Sequence, residues 1–170
     1  MGFLFPKAME ESAYTVDYEK LYELGYRGII FDIDNTLVEH GAPADARAIE
    51  LFNRIKALGF KVCLLSNNKE ERVKMFNDDV NVYYIYKASK PRRKGYIQAM
   101  ELMETNKTNT VSIGDQIFTD VAGANLAGIK TILVGKIAAR EEIQIVLKRF
   151  IEFFIIIAYK ISGRSKKKFY

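Results

Sequence analysis

The chain has 170 residues, of which 49% are hydrophobic and 28% charged, and it carries a net charge of +5. This length allows one domain with its own core and excludes two full ones, and the balance is ordinary for a soluble globular protein. A single cysteine, Cys63, excludes an internal disulfide and fits a reducing compartment.

Residues 1–26 read as an N-terminal extension packing on the core, with a short helix between Tyr14 and Leu24. They lack the basic, apolar, then small-residue pattern of a secretory signal. Met1-Gly2 hints at myristoylation, but Pro6 stands where Ser or Thr is required.

The core is expected over 27–135, where strand-like runs alternate with helical patterns. Residues 28–33 form the first strand, and 44–58 a helix with Ile49, Phe52, Ile55 and Leu58 on one stripe and Gly59 at its end. Strands follow at 60–65, 81–86, 109–114 and 130–134, separated by helices at 69–78, 91–104 and 119–127. This alternation implies right-handed crossovers and an α/β fold: a three-layer, Rossmann-like, doubly wound and mostly parallel five-stranded sheet. Cys63 lies within the second strand and reads as a small buried residue.

Residues 136–161 are expected to form a C-terminal helix, and 162–170 a basic tail. The stretch from Phe150 to Tyr159 is very hydrophobic, yet Lys148, Arg149, Glu152 and Lys160 interrupt it. A spanning helix needs about 20 mostly apolar residues. Packing on the sheet and lying in a membrane interface both remain open.

Chemistry concentrates in four loops at strand ends. The run Gly28-Ile29-Ile30-Phe31 ends in Asp32-Ile33-Asp34-Asn35-Thr36, placing two carboxylates one residue apart. In open α/β sheets, ligands bind just outside the carboxyl ends of the strands. Two such anions repel unless a cation bridges them or one takes a proton. The other loops hold Ser66-Asn67-Asn68, Lys90-Pro91, and Gly114-Asp115-Gln116 with Asp120. Carboxylates without a His/Cys cluster favour Mg²⁺ over zinc or copper, and the lone His40 has no second ligand of its kind. A hydroxyl, backbone amides and a lysine suit a phosphate dianion.

These four segments, in order, resemble the four motifs of the haloacid dehalogenase-like phosphatases, over roughly residues 27–134. Their wording is similar to that of the small capless members (subfamily IIIA-type), which include phosphatidylglycerophosphate phosphatase. The resemblance implies that Asp32 is the nucleophile and Asp34 the general acid and base. It implies Mg²⁺ held by Asp32, Asp115 and the backbone carbonyl of Asp34. Ser66, the amide of Asn67 and Lys90 would bind the phosphoryl group. Lys87 is a rival to Lys90, which is preferred because Lys90-Pro91 matches the motif. Asp120 and Thr36 are expected in supporting roles.

Neither interval, from Asp34 to Ser66 or from Ser66 to Lys90, has room for a cap domain. An uncapped site admits a phosphate on something large. The expected substrate is therefore a phosphorylated lipid headgroup, phosphatidylglycerophosphate, with nucleic acid ends, proteins and small metabolites as alternatives. Phe3-Leu4-Phe5, the Phe150–Tyr159 stretch and the lysine tail are compatible with a cytoplasmic protein that touches the inner membrane face. Nucleic acid is disfavoured because the basic residues form no helical stripe. A non-catalytic, receiver-like relative that only binds metal or a partner is the contrasting class. Receivers, however, are phosphorylated on a middle strand, and here the expected nucleophile ends the first.

Overall fold

The computed structural model describes residues 2–137 and 143–161, with side chains described for 2–137 and 151–161. The basic tail expected over 162–170 lies outside the described residues. The strands are β1 (Ala8–Glu10), β2 (Gly28–Phe31), β3 (Lys61–Leu65), β4 (Tyr83–Ile85), β5 (Thr110–Gly114) and β6 (Lys130–Val134). The helices are α1 (Tyr18–Glu23), α2 (Ala46–Ala57), α3 (Glu70–Val80), α4 (Lys94–Leu102), α5 (Ala122–Leu126) and α6 (Ile143–Ile161).

All strands run parallel in the order β1-β6-β5-β2-β3-β4. The sheet thus has one strand more than the five expected. The addition is β1, an edge strand of three residues with no buried side chain, held by Lys7 N–H donating to Thr131 O at 2.9 Å. A strand so short and partly exposed carries no periodic signal.

The inner strands read as largely apolar runs because both their faces are covered, with Thr110, Ser112 and Thr131 buried among the apolar residues. On one face Ile29, Phe31, Val62, Leu64, Val111 and Ile113 pack against α1, α2 and α3 through Leu21, Phe52, Ile55 and Phe76. Phe52 links Phe31 (ring centroids 5.5 Å apart) to Phe76 (5.9 Å). On the other face Ile30, Cys63 and Leu65 meet Tyr96, Ala99 and Ala124 of α4 and α5. The Cys63 thiol is pushed up to about 12 by burial, which leaves it protonated and inert.

Local signals set the helix limits. Asp45 accepts the Ala48 N–H at 2.7 Å to cap α2, and Gly59 leaves that helix with φ +98°, a conformation glycine takes at little cost. The helix expected over 91–104 begins later, at Lys94, so Pro91 precedes it instead of opening it. Residues Ile117–Val121 form a π-helical turn that runs into α5.

This order puts β2 at the centre, with β3 on one side and β5 on the other. The chain winds outward from β2 through β3 to β4 and then returns to add β5 and β6 on the other side, so the strand order reverses between β2 and β5 and opens a crevice at their carboxyl ends. Only α2 and β3 lie between Asp34 and Ser66, and only α3 and β4 between Ser66 and Lys90. No cap covers the crevice from these intervals. Among the described residues, no helix is long and apolar enough to cross a membrane.

Candidate active site

Phe31 pairs with Ile113, so the next residue of β2 stands beside the end of β5. Asp32 N–H donates to Ile113 O at 3.0 Å and closes the strand. The chain then turns back sharply. Asn35 adopts φ +63°, its N–H donates to Val38 O at 2.8 Å, and the Leu37 N–H donates to Ile33 O at 2.9 Å. Asparagine tolerates this left-handed conformation better than most residues. The turn brings the Thr36 hydroxyl between two carboxylates, 3.4 Å from Asp32 Oδ2 and 3.3 Å from Asp115 Oδ1.

Lys90 approaches from the β4–α4 loop with a side chain only 4% exposed. Its Nζ donates to Asp32 Oδ1 at 2.6 Å and to Asp120 Oδ1 at 2.7 Å. Burial alone would lower the lysine pKa, but Asp120 and Asp32 outweigh it and hold the ammonium charged. Burial raises Asp32 to about 6; Lys90 opposes that shift, and Asp120 and Asp34 add to it. Lys87 is exposed.

Close packing fixes Asp120. A Cβ at Gly114 would lie 2.5 Å from Asp120 Cγ, so only glycine leaves room for that side chain beneath β5. Asp120 Oδ2 accepts the Gln116 N–H at 3.1 Å, and the Tyr96 hydroxyl donates to Asp120 O at 3.2 Å.

The loop after β3 builds the opposite wall. Ser66 Oγ accepts the Asn68 N–H at 3.1 Å. The Asn67 side chain clasps the Lys90 backbone, accepting its N–H at 2.7 Å and donating to its carbonyl at 3.2 Å. Asn67 thereby sets where the lysine starts, a use of its side chain that the motif did not reveal.

Asp34 sits in a different environment from Asp32. Its Oδ2 accepts from Asn68 Nδ2 at 2.6 Å, and its Oδ1 from Arg72 Nη2 at 2.8 Å and Gly41 N–H at 2.8 Å. His40 Nδ1 lies 3.8 Å away on an exposed ring. Sequence reasoning missed Arg72, which looks like one more charge on a charged helix. Its place in the first turn of α3, directly after the Ser66–Asn68 loop, was the available signal. The side chain is 13% exposed, and its Nη1 is buried without a hydrogen-bond partner.

Asp32, Asp115 and Asp120 each offer an oxygen within 4.8 Å of the others, and all three are buried. Such a hard, all-oxygen set fits a divalent cation of the magnesium class. Asp120 also accepts from Lys90 and the Gln116 N–H, and the Thr36 hydroxyl links Asp32 to Asp115. Asp32, Asp34, Ser66, Asn67, Lys90 and Gln116, with His40, Asn35, Asn68 and Thr119, line one pocket of about 120 Å³. Asp115, Asp120 and Thr36 lie beneath it.

A family model described as HAD-hydrolase-like matches residues 87–145, which include Lys90, Asp115 and Asp120. The "Probable phosphatase YqeG" of Bacillus subtilis is 41% identical over 162 residues, covering 95% of this chain and 94% of that protein. Phosphatidylglycerophosphate phosphatase 1, chloroplastic/mitochondrial, of Arabidopsis thaliana is 25% identical over 155 residues. That match takes in 82% of this chain but 43% of the plant protein. Among solved structures, the cobalt-bound deoxy-D-mannose-octulosonate 8-phosphate phosphatase of Haemophilus influenzae superposes with a TM-score of 0.53 at 14% identity, covering 65% of this chain and 68% of that one. An uncharacterized protein of Corynebacterium glutamicum gives 0.53 at 19% identity over 76% of this chain and 96% of its own. These two establish shared fold alone. Near-complete coverage at 41% identity establishes more: the chain belongs to the haloacid dehalogenase-like hydrolases and is a phosphatase of that family.

Proposed function

We propose that this phosphatase cleaves phosphomonoesters through an aspartyl-phosphate on Asp32, with Mg²⁺, and that its substrate is phosphatidylglycerophosphate. The observation that carries the mechanism is the position of Asp32 at the end of β2, with Lys90 on one oxygen and Thr36 on the other. An oxygen of Asp32 attacks phosphorus, the bond from phosphorus to the leaving oxygen breaks, and Asp34 gives that oxygen its proton. Asp34 then takes a proton from water, whose oxygen attacks the same phosphorus and returns the Asp32 carboxylate.

Mg²⁺ at Asp32, Asp115 and the Asp34 carbonyl would screen the anionic nucleophile from the anionic ester. Lys90 supplies a fixed positive charge to the phosphoryl oxygens, and Ser66 and the Asn67 backbone amide supply donors at the opposite wall. Asp120 keeps Lys90 in place. Asn68 and Arg72 hold the two oxygens of Asp34 and so fix the carboxyl that passes the proton.

The lipid substrate draws its support from two sources. The Arabidopsis relative is by its name a phosphatidylglycerophosphate phosphatase. The short segments between the motif loops also leave the pocket mouth open to a phosphate on a bulky group.

The test gives purified protein and Mg²⁺ three substrates: phosphatidylglycerophosphate in micelles, an aryl phosphate and a 3′-phosphorylated oligonucleotide. The lipid is expected to turn over fastest, and Asp32→Asn to release no phosphate from any. Preference for the oligonucleotide overturns the substrate; undiminished release by the variant overturns the mechanism.

A further inference from the structure

Helix α6 is turned the wrong way round for a helix that merely covers a sheet. Its one acid, Glu152, faces inward at 5% exposure, and Glu152 Oε1 accepts the Ile117 N–H at 2.9 Å. Ile155 and Ile156 pack with Leu4 on Ile117, Val121 and Leu133, and the Tyr159 ring meets Phe5 at a tilt of 57° with ring centroids 5.7 Å apart. The opposite face holds Ile151, Phe153, Phe154, Ile157 and Ile161, all exposed, with both phenylalanines at 57%. An apolar groove of about 200 Å³ between Phe154 and Leu4 extends this surface to the N-terminal turn, where Phe3 is also exposed.

We propose that this face docks on an anionic lipid bilayer, with α6 lying in the plane of the interface beside the active-site rim. Charge selects the occupant. With its only acid buried, the helix shows no negative charge outward, and Lys160, between the exposed Ile157 and Ile161, is an exposed cation. An apolar face with a cation beside it and no acid on it is what an anionic membrane surface attracts. A second copy of the same helix would instead bring like charges together. Among the described residues no helix is long and apolar enough to cross a membrane, and a helix with an apolar face turned outward suits the plane of the interface.

Two contacts tie this face to the chemistry. Ile117, held by Glu152, is two residues beyond Asp115, and the Ile137 N–H, on the chain leading to α6, donates to Asn35 O at 3.0 Å. A helix seated on lipid would therefore hold the first and fourth motif loops next to the headgroup layer. That orienting role rests on the lipid substrate proposed above; the docking itself rests on the helix alone.

The test is flotation of the full chain with vesicles of phosphatidylglycerol and phosphatidylcholine, against vesicles of phosphatidylcholine alone, with hydrolysis of a soluble aryl phosphate measured in parallel. The wild type is expected to float with the anionic vesicles and poorly with the neutral ones. The double variant F153S/F154S is expected to lose about tenfold or more of that binding at unchanged aryl phosphate hydrolysis. Equal flotation of variant and wild type, or no flotation of either, overturns the proposal. So does self-association in sedimentation velocity that the variant abolishes while vesicle binding stays the same. Vesicle binding without hydrolysis of phosphatidylglycerophosphate supports the docking face and sinks the lipid substrate.

Discussion

The rim at the ends of β2 and β5 and the outer face of α6 invert the usual placement of residues. The rim buries Asp34, Asp115, Asp120 and Lys90 and most of Asp32 and Arg72, whereas α6 exposes phenylalanines and isoleucines. Burial is tolerated at the rim because almost every charge there has a partner at hydrogen-bond distance. The apolar side chains exposed on α6 are not buried by any of the described residues. The contrast teaches that one departure is resolved by internal pairing, and that the other, on the docking proposed above, is resolved by a bilayer.

Substitutions at the rim break the comparison most strongly. Asp32→Asn is expected to cut phosphate release by about 10³-fold or more, because the nucleophile is lost while Lys90 still has Asp120. Steady-state kinetics, with circular dichroism to confirm the fold, checks this. Arg72→Gln releases one grip on Asp34 and is expected to lower kcat by about 10²-fold. An effect on KM alone would show that Arg72 serves substrate binding instead.

Acid weakens the metal site in a defined direction. Asp32 is raised to about 6 by burial, so the metal-free fold is more stable with Asp32 protonated, and that advantage disappears as pH rises through about 6. A cation binds the deprotonated form, so Mg²⁺ affinity is expected to fall by up to about tenfold per pH unit below that value. Calorimetric titration between about pH 5 and 8 measures it. Gly114→Ala presses a methyl group into Asp120 and is expected to cost about 1–3 kcal/mol in denaturant unfolding. Phe153→Ser gives the smallest effect, a stability change within about 0.5 kcal/mol and unchanged soluble turnover, because that ring contributes little to the fold.

The residues explain which parts of the molecule were legible in the sequence. Strands β2, β3, β5 and β6 announce themselves because burial on both faces favours runs that are mostly apolar, and carboxylates ending such runs stand out. The edge strand β1 is too short and too exposed to do so. The four loops were legible as loops, but Arg72 reaches Asp34 from a helix whose other charges face solvent. The clasp of Asn67 on the Lys90 backbone arises only when two loops meet. Glu152 was legible as a charge interrupting an apolar stretch. Its inward turn depends on the Ile117 N–H, which only tertiary packing brings within 2.9 Å.

The central claim is that Asp32 carries the phosphoryl group. Its most direct test is an acid quench during turnover of a radiolabelled phosphomonoester, followed by peptide mapping of the protein-bound label. The account predicts a hydroxylamine-labile label on Asp32, absent from Asp32→Asn. Label on a different residue, or full turnover by that variant, would contradict it.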